Sequence, residues 1–284
     1  MYLIVLRLLL LSSVFFCYSS SGKELDSQQD IPYDIKEIID RGTLKVAVYS
    51  KDTEPYYYVN NNGKFTGIDI ELIKGFASLL NVDVVFDRSA NSLDDVIEKV
   101  SSKQVDLAIC KLSITFSRAS KVSFSKPYLR LYQGLLVSRL ALSKQQNGRS
   151  REETIQNLEG RIGVISNSSY VGYAQQRFKG MEITGFDSWQ NVVTAVTDNK
   201  IVAAYRDDSE IKKVIRDDPD AAIDLFAVVF LDAIDQKGIA IPWESYHLKF
   251  LIDQYITSLD LDLTADRVLF EYDTVLEKIY RNTH

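Results

Sequence analysis

The run from Asp106 to Arg118, Asp-Leu-Ala-Ile-Cys-Lys-Leu-Ser-Ile-Thr-Phe-Ser-Arg, combines residue types that could hold a carboxylate. Residues 107–110 form an apolar run too short for a helix and suited to a buried strand. Two hydroxyls, Ser113 and Thr115, and one fixed cation, Arg118, follow. A guanidinium offers a planar fork of donors, and backbone N–H groups of an opening loop complete the shell around a carboxylate. The same residues also fit a buried strand, a polar turn and a surface arginine. Two further places share this ambiguity. Ser168 and Ser169 precede a helix expected from about Tyr170; such hydroxyls cap helices, and a helix start also attracts anions. Asp207 ends the apolar run 201–205, either as a recognition carboxylate or as one acid of a surface cluster with Arg206, Asp208 and Glu210.

The elements that must position these residues read as alternating strands and helices. A short helix at 35–41 ends at Gly42, and a strand follows at 44–48. A hairpin turn is expected at Asn60-Asn61-Asn62-Gly63. The spacing of Ile70, Ile73, Phe76, Ala77 and Leu80 predicts a helix, with Asp69 and Glu71 as charges complementing its N-terminal dipole. A strand at 82–86 and a helix at 93–100 lead back to Asp106. Beyond the strand at 133–138, residues 144–153 are polar and expected to be exposed. A second unit then offers strands at 161–165 and 225–230, with helices from Tyr170 and at 189–198 and the run 201–207 after them. Residues 231–237 are expected to cross back, and helices are expected at 248–259 and 268–280. Such alternation is the pattern of a parallel α/β sheet flanked by helices.

The motif Asp106, Ser113, Thr115, Arg118, then Phe124-Ser125-Lys126-Pro127-Tyr128, resembles the signature of type II periplasmic solute-binding proteins of polar amino-acid ABC importers. Gly42, Leu44, Val46, Val48, Pro55, Gly63, Gly67, Asp69, Glu71 and Leu72 fit the same family's opening block. Gly238-Ile239-Ala240 resembles its re-entry strand, so the likeness covers roughly residues 35–260. The resemblance implies an α/β, two-lobed fold, each lobe a mostly parallel sheet flanked by helices, joined by a two-segment hinge. It implies a signal peptide over 1–21, a flexible stretch over 22–34, a first lobe over 35–137 and 235–284, and a second over 138–234.

The resemblance further implies a ligand site of Tyr56, Lys111, Ser113, Thr115, Arg118, Ser168, Ser169 and Asp207. Tyr56 would cover the ligand, although Tyr56, Tyr57 and Tyr58 equally suit an aromatic strand edge. Arg118 would pair with the ligand carboxylate, aided by N–H groups at Ser113 and Ser169, and Asp207 would hold its ammonium. Asn167 stands where the family has Gly, and Asn tolerates left-handed backbone. Val202 replaces an Asp of the family pattern. Lys111 stands where Gly or Ser is usual; its side chain either turns to solvent, reaches the ligand, or bridges to Asp207 across a closed cleft. A cationic ligand would then be repelled, whereas the loop of Asp52 and Glu54 would select one; the balance leans to a neutral polar or acidic amino acid.

Composition bounds the remaining classes. The chain has 284 residues, 46% hydrophobic and 25% charged, enough to bury a real core. A net charge of −6 argues against nucleic acid as a partner. Arg7, the apolar residues after it and the small Ser19 and Ser21 read as a secretory signal. Phe16 is bulky for a lipobox, which argues against lipid anchoring at Cys17. After cleavage Cys110 is the only cysteine, so no internal disulfide forms. No phosphate loop or His/Cys metal spacing stands out, and no cofactor is expected. The expected protein is a periplasmic monomer that takes an amino acid or similar zwitterion and presents it to the permease of an ABC importer. Competing functions are a cyclohexadienyl (arogenate or prephenate) dehydratase on the same fold, and a sensor module; for the latter the chain carries no recognisable second span or signalling domain.

Overall fold

Strand Leu129–Ser138 shows how the sequence builds the second half of the molecule. Its side chains alternate: Leu135 and Val137 enter one apolar cluster with Ala203 and Tyr205, while Leu136 enters the opposite cluster with Ala204. Successive residues of a strand point to opposite faces, so a run apolar at every position needs cover on both. Tyr170 and Ala174 of helix Ser169–Arg177 cover one face, and Val192 and Val196 of helix Trp189–Thr197 the other. The computed structural model describes residues 31–281. The expected signal peptide, Cys17 and most of the stretch 22–34 lie outside the described residues.

Two sheets of five strands organise the fold. The first runs in the order Asp83–Ala90, Thr43–Tyr49, Leu107–Ala108, Ala240–Ile241, Ser123–Phe124, with its first three strands parallel. Helix Ile68–Leu79 buries Ile70, Ile73 and Phe76 in its core, and helix Leu93–Ser101 buries Val96, Ile97 and Val100. Ser92 caps the latter by accepting from the Asp95 N–H. The second sheet runs Leu225–Lys237, Leu129–Ser138, Ala203–Asp207, Arg161–Ile165, Glu182–Phe186. This is the two-lobed α/β arrangement.

The changes of sheet fall earlier and later than the sequence reading placed them. Strands Leu129–Ser138 and Leu225–Lys237 pair antiparallel from Leu129 opposite Lys237 to Ser138 opposite Leu225. Residues 129–137, expected in the first lobe, therefore belong to the second sheet, and 231–237 continues a strand rather than crossing. A register shift between Phe230 and Ile234 absorbs the interruption at Asp232 that reads as a strand end. Residues 144–153 are mostly exposed, as expected, and are largely helical. Helices Arg139–Gln146 and Arg151–Gln156 occupy this region, the second opened by a capping box in which Ser150 and Glu153 bond each other's backbone N–H. The single helix expected at 268–280 is two, Ala265–Phe270 and Tyr272–Arg281.

Candidate functional site

Lys111 follows strand Leu107–Ala108 and adopts φ +55, a left-handed backbone that costs a non-glycine residue about 1–2 kcal/mol. Asp69 holds it there. Asp69 Oδ2 accepts from the Lys111 N–H at 2.8 Å and Oδ1 from the Tyr128 hydroxyl at 2.9 Å. Asp69 is fully buried, so beyond the dipole role read from sequence it ties three segments together. Glu71, by contrast, accepts from Lys74 and Thr66, both at 2.9 Å.

Burial raises the Asp69 carboxyl to about 7, against the lowering effect of the Tyr128 and Lys111 bonds. Its folded pKa exceeds the reference value of 3.8, so the native state binds the proton more tightly. Stability from this group is present at low pH and lost as pH rises from about 4 to about 7. Asp69→Asn is expected to remove that slope: urea midpoints of wild type and variant, measured from pH 4 to 8, should differ in their pH dependence over this window. Parallel profiles would rule Asp69 out as its source.

Ser113 is the centre of a polar cluster that links the two sheets. Its Oγ accepts from Lys237 Nζ at 2.9 Å and from the Ser169 hydroxyl at 3.0 Å, and donates to Asp235 Oδ2 at 3.2 Å. Tyr170 donates to the same Asp235 oxygen at 2.8 Å. Ser169 and Tyr170 open helix Ser169–Arg177. Asn167 before them has φ +55, the left-handed turn expected of it. The Ser168 hydroxyl donates to the Ile165 carbonyl at 2.7 Å and does not cap the helix.

Asp207 ends strand Ala203–Asp207 and caps helix Asp208–Asp217 by accepting from the Glu210 N–H. The Lys111 ammonium reaches it across the cleft, 3.1 Å from Asp207 Oδ1 and 2.8 Å from Glu210 Oε1. Of the fates open to Lys111, the structure has the bridge. Burial alone would raise the Asp207 carboxyl, but the charges of Lys111, Lys237 and Arg206 hold it well below the usual carboxylate range. Burial likewise opposes ionisation of Glu210, which Arg206 and Lys111 nonetheless lower.

A cavity of about 370 Å³ lies between these groups, within the size of small-ligand sites. Of the residues expected in the site, Lys111, Ser113, Ser168, Ser169 and Asp207 line it, and Tyr56, Thr115 and Arg118 do not. Tyr56 is fully buried, its ring 4.5 Å from the Lys111 ammonium, and Tyr57 lines the wall instead. Thr115 caps the short helix Phe116–Ala119. Arg118 is buried, donates to the Ser113 carbonyl at 3.4 Å and lies 3.5 Å from Asp94. Cys110 is on the wall as a neutral thiol, pushed up to about 12 by burial. Lys237, Tyr170 and Arg206 line the cavity without having been singled out. A signal for Lys237 existed, since it directly precedes the recognised Gly238-Ile239-Ala240. Among the described residues no group of His, Cys, Asp and Glu could hold a metal ion, and no helix is long and apolar enough to cross a membrane.

Two lobes with a polar cavity where their loops meet define the class of two-lobed solute-binding folds. The profile of bacterial extracellular solute-binding proteins, family 3, matches residues 44–262, and the chain belongs to that family. It is 34% identical over 168 residues to a membrane-bound lytic murein transglycosylase F of Saccharophagus degradans, covering 59% of this chain and 31% of that protein. It is 28% identical over 157 residues to the histidine-binding periplasmic protein of Escherichia coli K12, covering 54% of this chain and 56% of the other. The chain thus spans about a third to about half the length of these curated relatives. Among solved structures it is similar to an amino acid ABC transporter substrate-binding protein of Streptococcus pneumoniae bound to L-arginine. That likeness has a TM-score of 0.67 at 24% identity and covers 87% of this chain and 98% of the other. The ancestral amino acid-binding protein AncCDT-1, a precursor of cyclohexadienyl dehydratase, superposes with a TM-score of 0.66 at 23% identity, covering 87% and 97%.

Proposed function

We propose that the protein binds an amino acid or a related small carboxylate in the cavity between its lobes, outside the cytoplasm, and delivers it to the permease of an ABC importer without altering it. The observation that carries this reading is the hydrogen bond between Ser113 and Ser169, one hydroxyl from each lobe, beside the Lys237 ammonium. Hydroxyls, an ammonium and the first N–H groups of helix Ser169–Arg177 together form a receptor for a carboxylate that both lobes complete. Arg118 backs this seat through the Ser113 carbonyl and adds positive charge behind it. The antiparallel pair Leu129–Ser138 and Leu225–Lys237 is the ribbon about which the lobes close, and a ligand touching both lobes favours closure. The family and the names of its periplasmic relatives support the transport role and a periplasmic location.

A saturating ligand is expected to raise stability by about 2.7 kcal/mol at a hundredfold excess over Kd. Chromatography after incubation should return it unchanged. Release of product from arogenate or prephenate would place the protein among enzymes instead.

A further inference from the structure

The acidic corner of the cleft is already filled by an ammonium belonging to the chain. Lys111 Nζ lies 2.8 Å from Glu210 Oε1, 3.1 Å from Asp207 Oδ1 and 3.3 Å from Ser209 Oγ. An ammonium has three protons, so these acceptors use all of them. The Tyr56 ring lies 4.5 Å from the same nitrogen, and Lys111 is only 6% exposed. The Arg206 guanidinium stands 3.8 Å from both carboxylates. Two cations therefore match two carboxylates, and the corner is balanced without a ligand.

A ligand ammonium would be a third cation there. Among the described residues the other carboxylate on the wall, Asp187, is solvent-exposed, where its pull is weak. Displacing Lys111 would strip it of three acceptors and an aromatic face together. At the far side the charge of Lys237 is matched by Asp235, yet hydrogen-bond donors remain for a ligand carboxylate. Lys237 donates to Ser113 and Asp235 and keeps one proton to give. Arg206, on the same wall, has its charge matched in the acidic corner and packs against the Trp189 ring 5.3 Å away. Its 3.8 Å contacts with Asp207 and Glu210 are longer than hydrogen bonds and leave N–H groups able to donate to an anion.

We propose that Lys111 is the resident cation of the cleft, and that its ligand is a small carboxylate without an α-ammonium, such as a 2-hydroxy acid or a simple dicarboxylate. The inference rests on the cleft being the carboxylate receptor described above, and it names the ligand class of that site. Lys111 is the residue that sets it, by cancelling the negative corner to which an α-ammonium would otherwise be drawn.

Matched pairs that differ only at the α-position test it: alanine and lactate, glutamate and 2-hydroxyglutarate, histidine and imidazole-lactate. Calorimetric titration of the wild-type chain should give at least tenfold tighter binding of the hydroxy acid in whichever pair binds. Lys111→Met frees Asp207 and Glu210, and should move the preference at least tenfold toward the amino acid. Equal or tighter binding of the amino acid by wild type overturns the inference and leaves the cleft a receptor, as does an unchanged preference in Lys111→Met. Binding of neither member of any pair overturns the receptor reading itself. The wild-type comparison decides even where the variant does not fold.

Discussion

Lys237→Met is expected to lower the stability of the protein by about 3–5 kcal/mol, the usual cost of breaking a buried ion pair from one side. Lys237 is 2% exposed and its partner Asp235 is 1% exposed. Asp235 Oδ2 takes the Lys237 ammonium, the Tyr170 hydroxyl and the Ser113 hydroxyl, while Oδ1 has no hydrogen-bond partner among the described residues. Methionine keeps the volume of the side chain and removes its charge, which strands a carboxylate in the interior. A domain is stable by only about 5–15 kcal/mol, so the loss is a large part of the total. Adding Asp235→Asn to the variant removes the stranded charge and keeps an acceptor for Tyr170 and Ser113, and should recover most of the loss. Urea unfolding of the two variants measures both effects. A loss below about 1 kcal/mol in Lys237→Met would mean that water or another cation reaches Asp235.

Gly67→Ala is the second large effect. Gly67 has φ +121 and ψ 169, a conformation open essentially to glycine alone. A Cβ there would lie 2.2 Å from the Tyr56 carbonyl oxygen and 2.4 Å from its carbon. That carbonyl cannot move freely, because it accepts from the Asp69 N–H at 3.0 Å. Backbone strain and overpacking together put the cost at about 2–6 kcal/mol. The damage should reach the cleft, since Asp69 positions the Lys111 backbone. Thermal unfolding and ligand titration of Gly67→Ala should therefore both be impaired. A stable variant with unchanged affinity would show that this turn does not position the cleft.

The residues that sequence made legible are those whose role is written locally. Asn167 takes the left-handed turn, and Thr115 and Ser169 stand at the starts of short polar loops and helices as their types suggest, whereas the helix cap made by Asp207 was not read from sequence. Short apolar runs and helical spacing likewise brought out most strands and helices of the two sheets. What local pattern could not carry is long-range pairing. The segment 231–237 reads as a crossing because Asp232 and Asp235 interrupt its apolar run. Only the partner strand Leu129–Ser138 and the register shift make it one strand, and that pairing delivers Asp235 and Lys237 to the cleft. The bridge from Lys111 to Asp207 joins positions 96 residues apart, and sequence offered it only as one of several fates. Ser150 is different: its capping-box spacing to Glu153 is a local signal that the reading of 144–153 as polar and exposed did not take up.

The claim that the cleft is a receptor for a small carboxylate is tested most directly by mass spectrometry of what the native protein carries. The protein, purified without denaturant and then extracted, should release about one equivalent of a small carboxylate per chain. That compound, added back, should bind wild type and emerge unchanged. Recovery of no small acid, together with no binding by any member of the matched pairs, would contradict the account.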